Sequence, residues 1–294
     1  MFYRRKIILA LIQMLGGELE KIRIQKLLFL FSQKQSKSEY DFIPYKYGCY
    51  SYSAKADLNT MLKKGILDEN ENLYIKNSLV DFIKLLKVDD KRKLDEVVKL
   101  YGKMSNDTLI KHTYINYPYY ATKSLIAESI LNKEQINKIN SQKKQSNETI
   151  LFTIGYEGIS LEHYLNKLVL NDVKLLVDVR KNPLSMKFGF SKTLLSKYCE
   201  SLGINYLHIP EVGINSDQRQ ELNTQKDYDE LFERYKKTTL TETDSYQLKI
   251  IELLKKYNRI ALTCFEADVC QCHRKPLAES IEKFPIFDYK IKHL

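Results

Sequence analysis

The stretch Leu262-Thr-Cys-Phe-Glu-Ala-Asp-Val-Cys-Gln-Cys-His-Arg274 brings three thiols, two carboxylates, an imidazole and a guanidinium together in a single short segment. Cys272 stands beside His273 and Arg274, where a helix is expected to begin. A helix N-terminus and two neighbouring cations lower a thiol pKa, which suits nucleophilic or redox chemistry; a small, well-packed thiol is the alternative. Glu266 and Asp268 can act as acid or base, or cap the next turn. Cys264, Glu266, Cys272 and His273 are therefore the candidate catalytic residues. Cys264, Cys270, Cys272 and His273 are also soft metal donors, but the spacing lacks two separated Cys-x2-Cys knuckles. No metal site is assigned on that spacing, and the sequence names no cofactor.

A second group of candidates lies further upstream. In Val177-Asp-Val-Arg180, period-two alternation puts the valines on one face and Asp178 and Arg180 on the other. Two readings are open: the pair is a structural ion pair, or Arg180 uses its planar donors to bind an anion such as phosphate or carboxylate. Arg274 can bind the same anion. Gly155 allows backbone to approach a ligand closely, although Gly155-Tyr-Glu-Gly158 is not the G-x-G-x-x-G pattern. Gly155, Tyr156, Asp178, Arg180 and Arg274 are the candidate ligand-binding residues.

These residues are positioned by a common device. Apolar runs ending at Ile154, Val179, Ile209 and Thr263 read as strands, and helical periodicity separates them. A fifth strand is expected within 288–294. Strands alternating with helices predict a parallel, Rossmann-like α/β sheet, in which all strand ends of one sense lie on one edge. The polar residues follow the strands, so they converge on a single crevice. This α/β domain is expected over 149–294, after a polar linker over 133–148 that is rich in Asn, Gln, Lys and Ser.

The segment 1–132 reads differently. Ile7, Ile8, Leu11, Ile12 and Leu15 mark one amphipathic helix, closed by Gly16-Gly17, and Ile24, Leu27, Leu28 and Phe31 mark a second. Ser51 or Ser53 can cap a third, which stops near Gly65. Ile66 to Ile75 reads as two short strands around a polar turn. Helices followed by a hairpin outline a winged-helix-like interaction domain. The tyrosines of 45–52 and 114–120, interleaved with lysine, suit either base stacking or packing between helices.

Charge follows the same division. Residues 1–150 carry 26 Lys+Arg against 17 Asp+Glu, whereas residues 151–294 carry 21 against 20. A basic half joined to a nearly neutral one suggests contact with DNA or RNA, unless the lysines reflect compositional bias alone. Cys49 and Cys199 are isolated and the other three of the five cysteines cluster, which is not a secreted disulfide framework. No apolar run approaches a membrane span, and the N-terminal apolar run continues as an amphipathic helix rather than ending at a cleavage site. A cytoplasmic protein without membrane contact is expected.

Over about residues 150–294 the chain resembles the DUF488 family. The resemblance rests on the ordered series Thr153-Ile-Gly-Tyr156, Leu176-Val-Asp-Val-Arg180, Phe190-Ser-Lys192, Ile204-Asn-Tyr-Leu-His208, Cys264-x-Glu266 and Cys272-His-Arg274. The family more often has His where Tyr156 stands and a Gly pair where Gly213-Ile214 stands, and Cys270 is an addition. The resemblance implies an α/β fold and a site location, not a reaction. Arg23-Ile-Gln-Lys-Leu-Leu-Phe-Leu30 and Phe42-Ile-Pro-Tyr-Lys-Tyr-Gly48 are similar to the DUF4065 or Panacea family, which implies an interaction or regulatory module over about residues 5–130.

Three functions are compatible with these readings. One is a nucleic-acid-associated protein, of defence or regulatory type, whose α/β domain binds or processes an anionic nucleotide-like ligand. Another is a non-catalytic, antitoxin-like regulatory protein with a protein partner and an effector-binding α/β domain. The third is a thiol or metal redox sensor.

Overall fold

A computed structural model describes residues 1–215, 218 and 222–294. The chain divides into two compact units, Met1–Lys143 and Lys144–Leu294.

The N-terminal unit is mostly helical. Its elements are α1 (Tyr3–Met14), β1 (Glu18–Glu20), α2 (Lys21–Ser32), β2 (Ile43–Tyr45), β3 (Gly48–Tyr50), α3 (Tyr52–Lys63), β4 (Leu67–Glu69), β5 (Leu73–Lys76), α4 (Val88–Tyr101), α5 (Asn106–Asn116), α6 (Ala127–Ile130) and α7 (Lys133–Gln142). Gly16 and Gly17 both take positive φ, 99° and 94°, which ends α1 where a side chain would be strained. Ser51 caps α3 by accepting from the Ala54 amide at 3.2 Å. The expected hairpin forms as β4 and β5, and β1 joins it to give an antiparallel sheet of order β1-β5-β4.

The core of this unit is built from Ile8, Leu11, Leu27, Phe29, Leu58, Leu94 and their neighbours. The tyrosines join it. Phe29 meets Tyr117 and Tyr120 edge to face, and Tyr114 is buried with its hydroxyl 2.8 Å from Ser124 Oγ. Packing between helices is thus the role of the second tyrosine cluster. Lys26 is buried too; its Nζ donates to the carbonyls of Tyr47 and Cys49.

The segment expected as a linker is not all linker. Lys133–Gln142 forms α7, opened by a capping box between Asn132 and Gln135, and Ile139 is buried against Ile110 and Tyr114. The polar composition reflects the helix's outward face.

The C-terminal unit contains β6 (Ile150–Gly155), α8 (Leu161–Leu170), β7 (Leu175–Asp178), α9 (Lys192–Ser201), β8 (Asn205–His208), α10 (Gln225–Lys237), α11 (Thr239–Glu242), α12 (Asp244–Tyr257), β9 (Arg259–Cys264), α13 (Arg274–Glu282) and β10 (Lys290–His293). Its five strands form one parallel sheet of order β10-β6-β9-β7-β8. β6, β7 and β9 are buried at every position, which is why they read as unbroken apolar runs. On one face, Leu175, Val177, Ile260 and Leu262 pack with Ile250, Leu254, Leu277 and Ile281 of α12 and α13. On the other, Thr263 accepts a 2.7 Å hydrogen bond from Tyr164 of α8. Among the described residues, no helix is long and apolar enough to cross a membrane.

Candidate functional site

The register of the sheet sets the site. Gly155 pairs with Cys264, and Asp178 lies between Thr263 and His208. The C-terminal ends of β6, β9, β7 and β8 therefore share one rim. Alternation then sorts their side chains: Cys264 follows Ile260 and Leu262 onto the α12–α13 face, whereas Asp178 lies on the opposite face from Val177. The site consists of two groups on opposite faces that meet at the rim.

The first group is built on Arg180 and Asp178. Arg180 Nε donates to Asp178 Oδ1 at 2.8 Å, and Nη2 donates to Oδ2 at 2.5 Å. Nη1 donates to the Tyr156 hydroxyl at 2.7 Å and to the Phe190 carbonyl at 2.9 Å. Tyr206 donates to Asp178 Oδ2 at 2.6 Å, and His208 Nε2 lies 2.8 Å from the Arg180 carbonyl oxygen. The Tyr156 ring stacks on Phe190 at 4.2 Å. Burial by itself pulls the Arg180 guanidinium down, but the Asp178 hydrogen bonds and charge outweigh it and hold its pKa above the ordinary value. Burial raises the Tyr156 phenol. Most of the Arg180 fork is committed to protein acceptors, as the ion-pair reading expects.

The second group is built on Cys264. Its Sγ lies 3.1 Å from Glu266 Oε2 and 3.4 Å from His273 Nδ1. His273 Nε2 lies 3.1 Å from the Val179 carbonyl oxygen, so Nε2 carries the proton and Nδ1 turns its lone pair to the sulfur. Cys272 completes the cluster: one ligand-type atom from each of Cys264, Glu266, Cys272 and His273 falls within 4.8 Å of the others. All four candidate catalytic residues are thus adjacent. Cys264, Cys272 and His273 are buried and Glu266 is half-buried.

One local expectation is corrected. The Cys272 thiol is pushed well above the ordinary thiol range rather than below it, by burial first and then by the neighbouring Cys264 and Glu266. Desolvation outweighs the helix end and the cations because Cys272 is 0% exposed. α13 begins at Arg274, with His273 preceding it. Cys270 is exposed and lies apart, 3.5 Å from Lys275 Nζ, and Asp268 accepts from the Cys270 amide at 2.8 Å, which is the turn-capping role.

Arg274 and Gly155 shape the loop rather than the rim. Arg274 is buried; Nη1 and Nη2 donate to the carbonyls of Glu266 and Ala267 at 2.5 and 3.0 Å. A Cβ on Gly155 would lie 1.8 Å from the Glu266 carbonyl oxygen, so only glycine admits the loop so close to the strand. Glu157 holds the same loop through the Ala267 amide at 3.0 Å.

The two groups share a cleft of about 290 Å³, lined by Tyr156, Arg180, Lys181, Ser185, Cys264 and Phe265, among others. Lys181 and Ser185 were not singled out in the sequence. The available signal was Arg180-Lys-Asn-Pro183, a cationic pair running into a proline turn directly after a strand. Lys187 backs the cleft by donating to the Tyr156 carbonyl at 2.5 Å.

No curated protein matches the chain. Residues 160–281 match the family model described as Domain of unknown function DUF488, so it is the segment carrying Asp178, Arg180, the thiol cluster and Arg274 that is similar to that family, with Gly155 and Tyr156 outside the matched stretch.

Proposed function

We propose that this is a nucleic-acid-associated protein of defence or regulatory type, whose C-terminal unit binds or processes an anionic, nucleotide-like ligand at the rim of the parallel sheet. The observation that carries the reading is the shared cleft: Arg180, Lys181 and Cys264 line one cavity of about 290 Å³. That size lies near the lower bound of ligand pockets, ~300–1,000 Å³, and suits a phosphate with one ring. Arg180, already paired with Asp178, supplies a fixed wall; the exposed Lys181 is the direct anion contact, with Asn182 and Ser185 as neutral donors. Cys264, which lines the cavity, and the adjacent Glu266, Cys272 and His273 would supply any reacting groups.

Two tests address this reading. Mass spectrometry of small molecules released from natively purified protein identifies a resident ligand. Titration with a panel of mononucleotides then compares the parent with Lys181→Ala, for which affinity is expected to fall at least about tenfold, the 1.4 kcal/mol of a modest charged contact. Absence of binding across the panel, or equal affinity in Lys181→Ala, removes the nucleotide reading.

For the N-terminal unit, the order helix–strand–helix–helix–strand–strand, counted around the β2–β3 hairpin, supports a winged-helix module, as does the resemblance to the Panacea family. The basic surplus of residues 1–150 favours nucleic acid. One observation favours a protein partner instead: the β4–β5 hairpin that would be the wing carries Asp68 and Glu69 on β4 and Glu71 in its turn, an acidic set, although Glu69 pairs with Lys21. Duplex binding by the full chain that weakens steeply between 50 and 200 mM salt, by roughly 10³ or more for six or so phosphate contacts, supports the first. A flat salt response supports the second.

A further inference from the structure

We propose that Cys264, Cys272 and His273, with Glu266 as an exchangeable fourth ligand, form a zinc site beside the cleft. The inference goes beyond the nucleotide reading, because the cluster can hold a metal whether or not the cleft takes a nucleotide.

Geometry carries it. A tetrahedral ion bound at about 2.3 Å to sulfur and about 2.1 Å to nitrogen or oxygen places those donors about 3.6 Å apart. The sulfur of Cys264 lies 3.4 Å from His273 Nδ1 and 3.1 Å from Glu266 Oε2, and all four donors fall within 4.8 Å of one another. The two Cys264 contacts need an expansion of a few tenths of an ångström, and the widest donor pair a contraction of up to about 1.2 Å, to form a coordination shell. The donors sit on a half-buried loop, a strand end and the residues just before α13.

The surroundings suit a metal as well. The 3.1 Å contact between His273 Nε2 and the Val179 carbonyl leaves Nδ1, which faces Cys264 Sγ at 3.4 Å, as the ligating nitrogen. Such a carbonyl partner is the usual orienting contact of a metal-bound imidazole. Two thiolates would neutralise a divalent ion in a place where either thiolate alone is costly. Two thiolates and an imidazole, with a fourth place open to exchange, form a donor set of catalytic zinc, whereas a closed structural site has four buried donors. Here three donors are buried, and the carboxylate alone is half-exposed. The ion would lie beside the cleft, since Cys264 lines it, and would act as a Lewis acid toward an anion or water there. The one exposed thiol, Cys270, takes no part.

The experiment is metal analysis of the full chain purified under reducing conditions without chelator, followed by replacement with Co²⁺. About one zinc per chain is expected. With Co²⁺, a thiolate-to-metal charge-transfer band is expected in the parent and in Cys270→Ala, and should be lost in Cys272→Ala. Because Cys272→Ala can disturb the core, Glu266→Gln serves as the second variant: its circular dichroism should be unchanged while its zinc affinity falls about 10–100-fold, in the range of perturbed metal sites. The proposal is overturned if the reduced protein takes up neither ion, if Cys272→Ala keeps the charge-transfer band, or if Glu266→Gln binds zinc as the parent does. Recovery of a Cys264–Cys272 disulfide, with no metal uptake after reduction, overturns it in favour of a thiol redox pair.

Discussion

Arg180 and Asp178 meet as a two-pronged fork, Nε to Oδ1 at 2.8 Å and Nη2 to Oδ2 at 2.5 Å, with the guanidinium 6% exposed and the carboxylate 0%. Removing one member leaves a buried charge without its partner, which costs about 3–5 kcal/mol; replacing both with apolar residues is much less costly. Asp178→Ala should therefore lower the unfolding free energy by about that amount in denaturant titrations, and Asp178→Leu combined with Arg180→Met should recover most of it. Equal losses in the single and double variants would show that the fork itself contributes little.

The closeness of Gly155 to the Glu266 carbonyl gives a second prediction. A methyl group 1.8 Å from a backbone oxygen cannot be accommodated by a side-chain rotation. Gly155→Ala must displace the 265–267 loop, with a cost at or above the ~1–3 kcal/mol of ordinary overpacking. Because that loop also holds Glu266, the reactivity of Cys264 toward a thiol reagent should rise in the variant. An unchanged melting temperature and unchanged thiol reactivity would mean that the loop is not seated on the strand.

Lys26 provides a test in the N-terminal unit. Burial pushes its ammonium below the ordinary lysine value, with Cys49 opposing. Its Nζ nevertheless donates to two carbonyls of the β2–β3 hairpin and faces the Tyr114 ring at 5.9 Å. Two effects oppose each other in Lys26→Met: relief of a desolvated charge, and loss of the donors that satisfy buried carbonyls, worth about 1–3 kcal/mol each when left unpaired. The second should win, because Lys26 Nζ donates to both of those carbonyls and a methionine donates to neither. A net loss of about 1–3 kcal/mol is expected in denaturant unfolding, and a stabilised variant would reverse the assignment.

Much of the architecture was legible because β6, β7 and β9 are mostly apolar runs bounded by Gly or polar residues. The convergence of Asp178, Arg180, Cys264 and Glu266 on one rim follows from that pattern. Other features left no periodic trace. Glu18-Leu-Glu20 holds one apolar residue, too few to show alternation, and becomes a strand only because β5 lies alongside it. α7 had a usable signal in Asn132, Gln135, Ile136 and Ile139, a capping box followed by an apolar pair, which polar composition obscured. For Cys272, its neighbours in sequence argued for a lowered thiol pKa, and the opposite direction follows from burial that sequence spacing does not show.

Cys199 connects burial to pH. It is fully buried in α9, and burial first, then the Glu200 and Asp178 charges, raise its thiol above the ordinary value near 9. The folded protein therefore keeps this proton at a pH where the unfolded chain has lost it. Above pH 9 the unfolded state binds fewer protons than the folded state, so the slope of unfolding free energy with pH is negative. The contribution is fully present below the ordinary thiol value and is lost as pH rises toward the raised one. Cys49 and Cys272, shifted in the same direction, add to the slope. Cys199→Ala removes one share of it: compared at pH 8 and pH 10 with chelator present, the parent should lose about 1.4 kcal/mol more stability than the variant, one pH unit's worth for one group. The comparison rests on slopes, since the alanine also leaves a small cavity at every pH. Parallel slopes in the two proteins would mean that Cys199 ionises as readily in the fold as out of it, contrary to its burial.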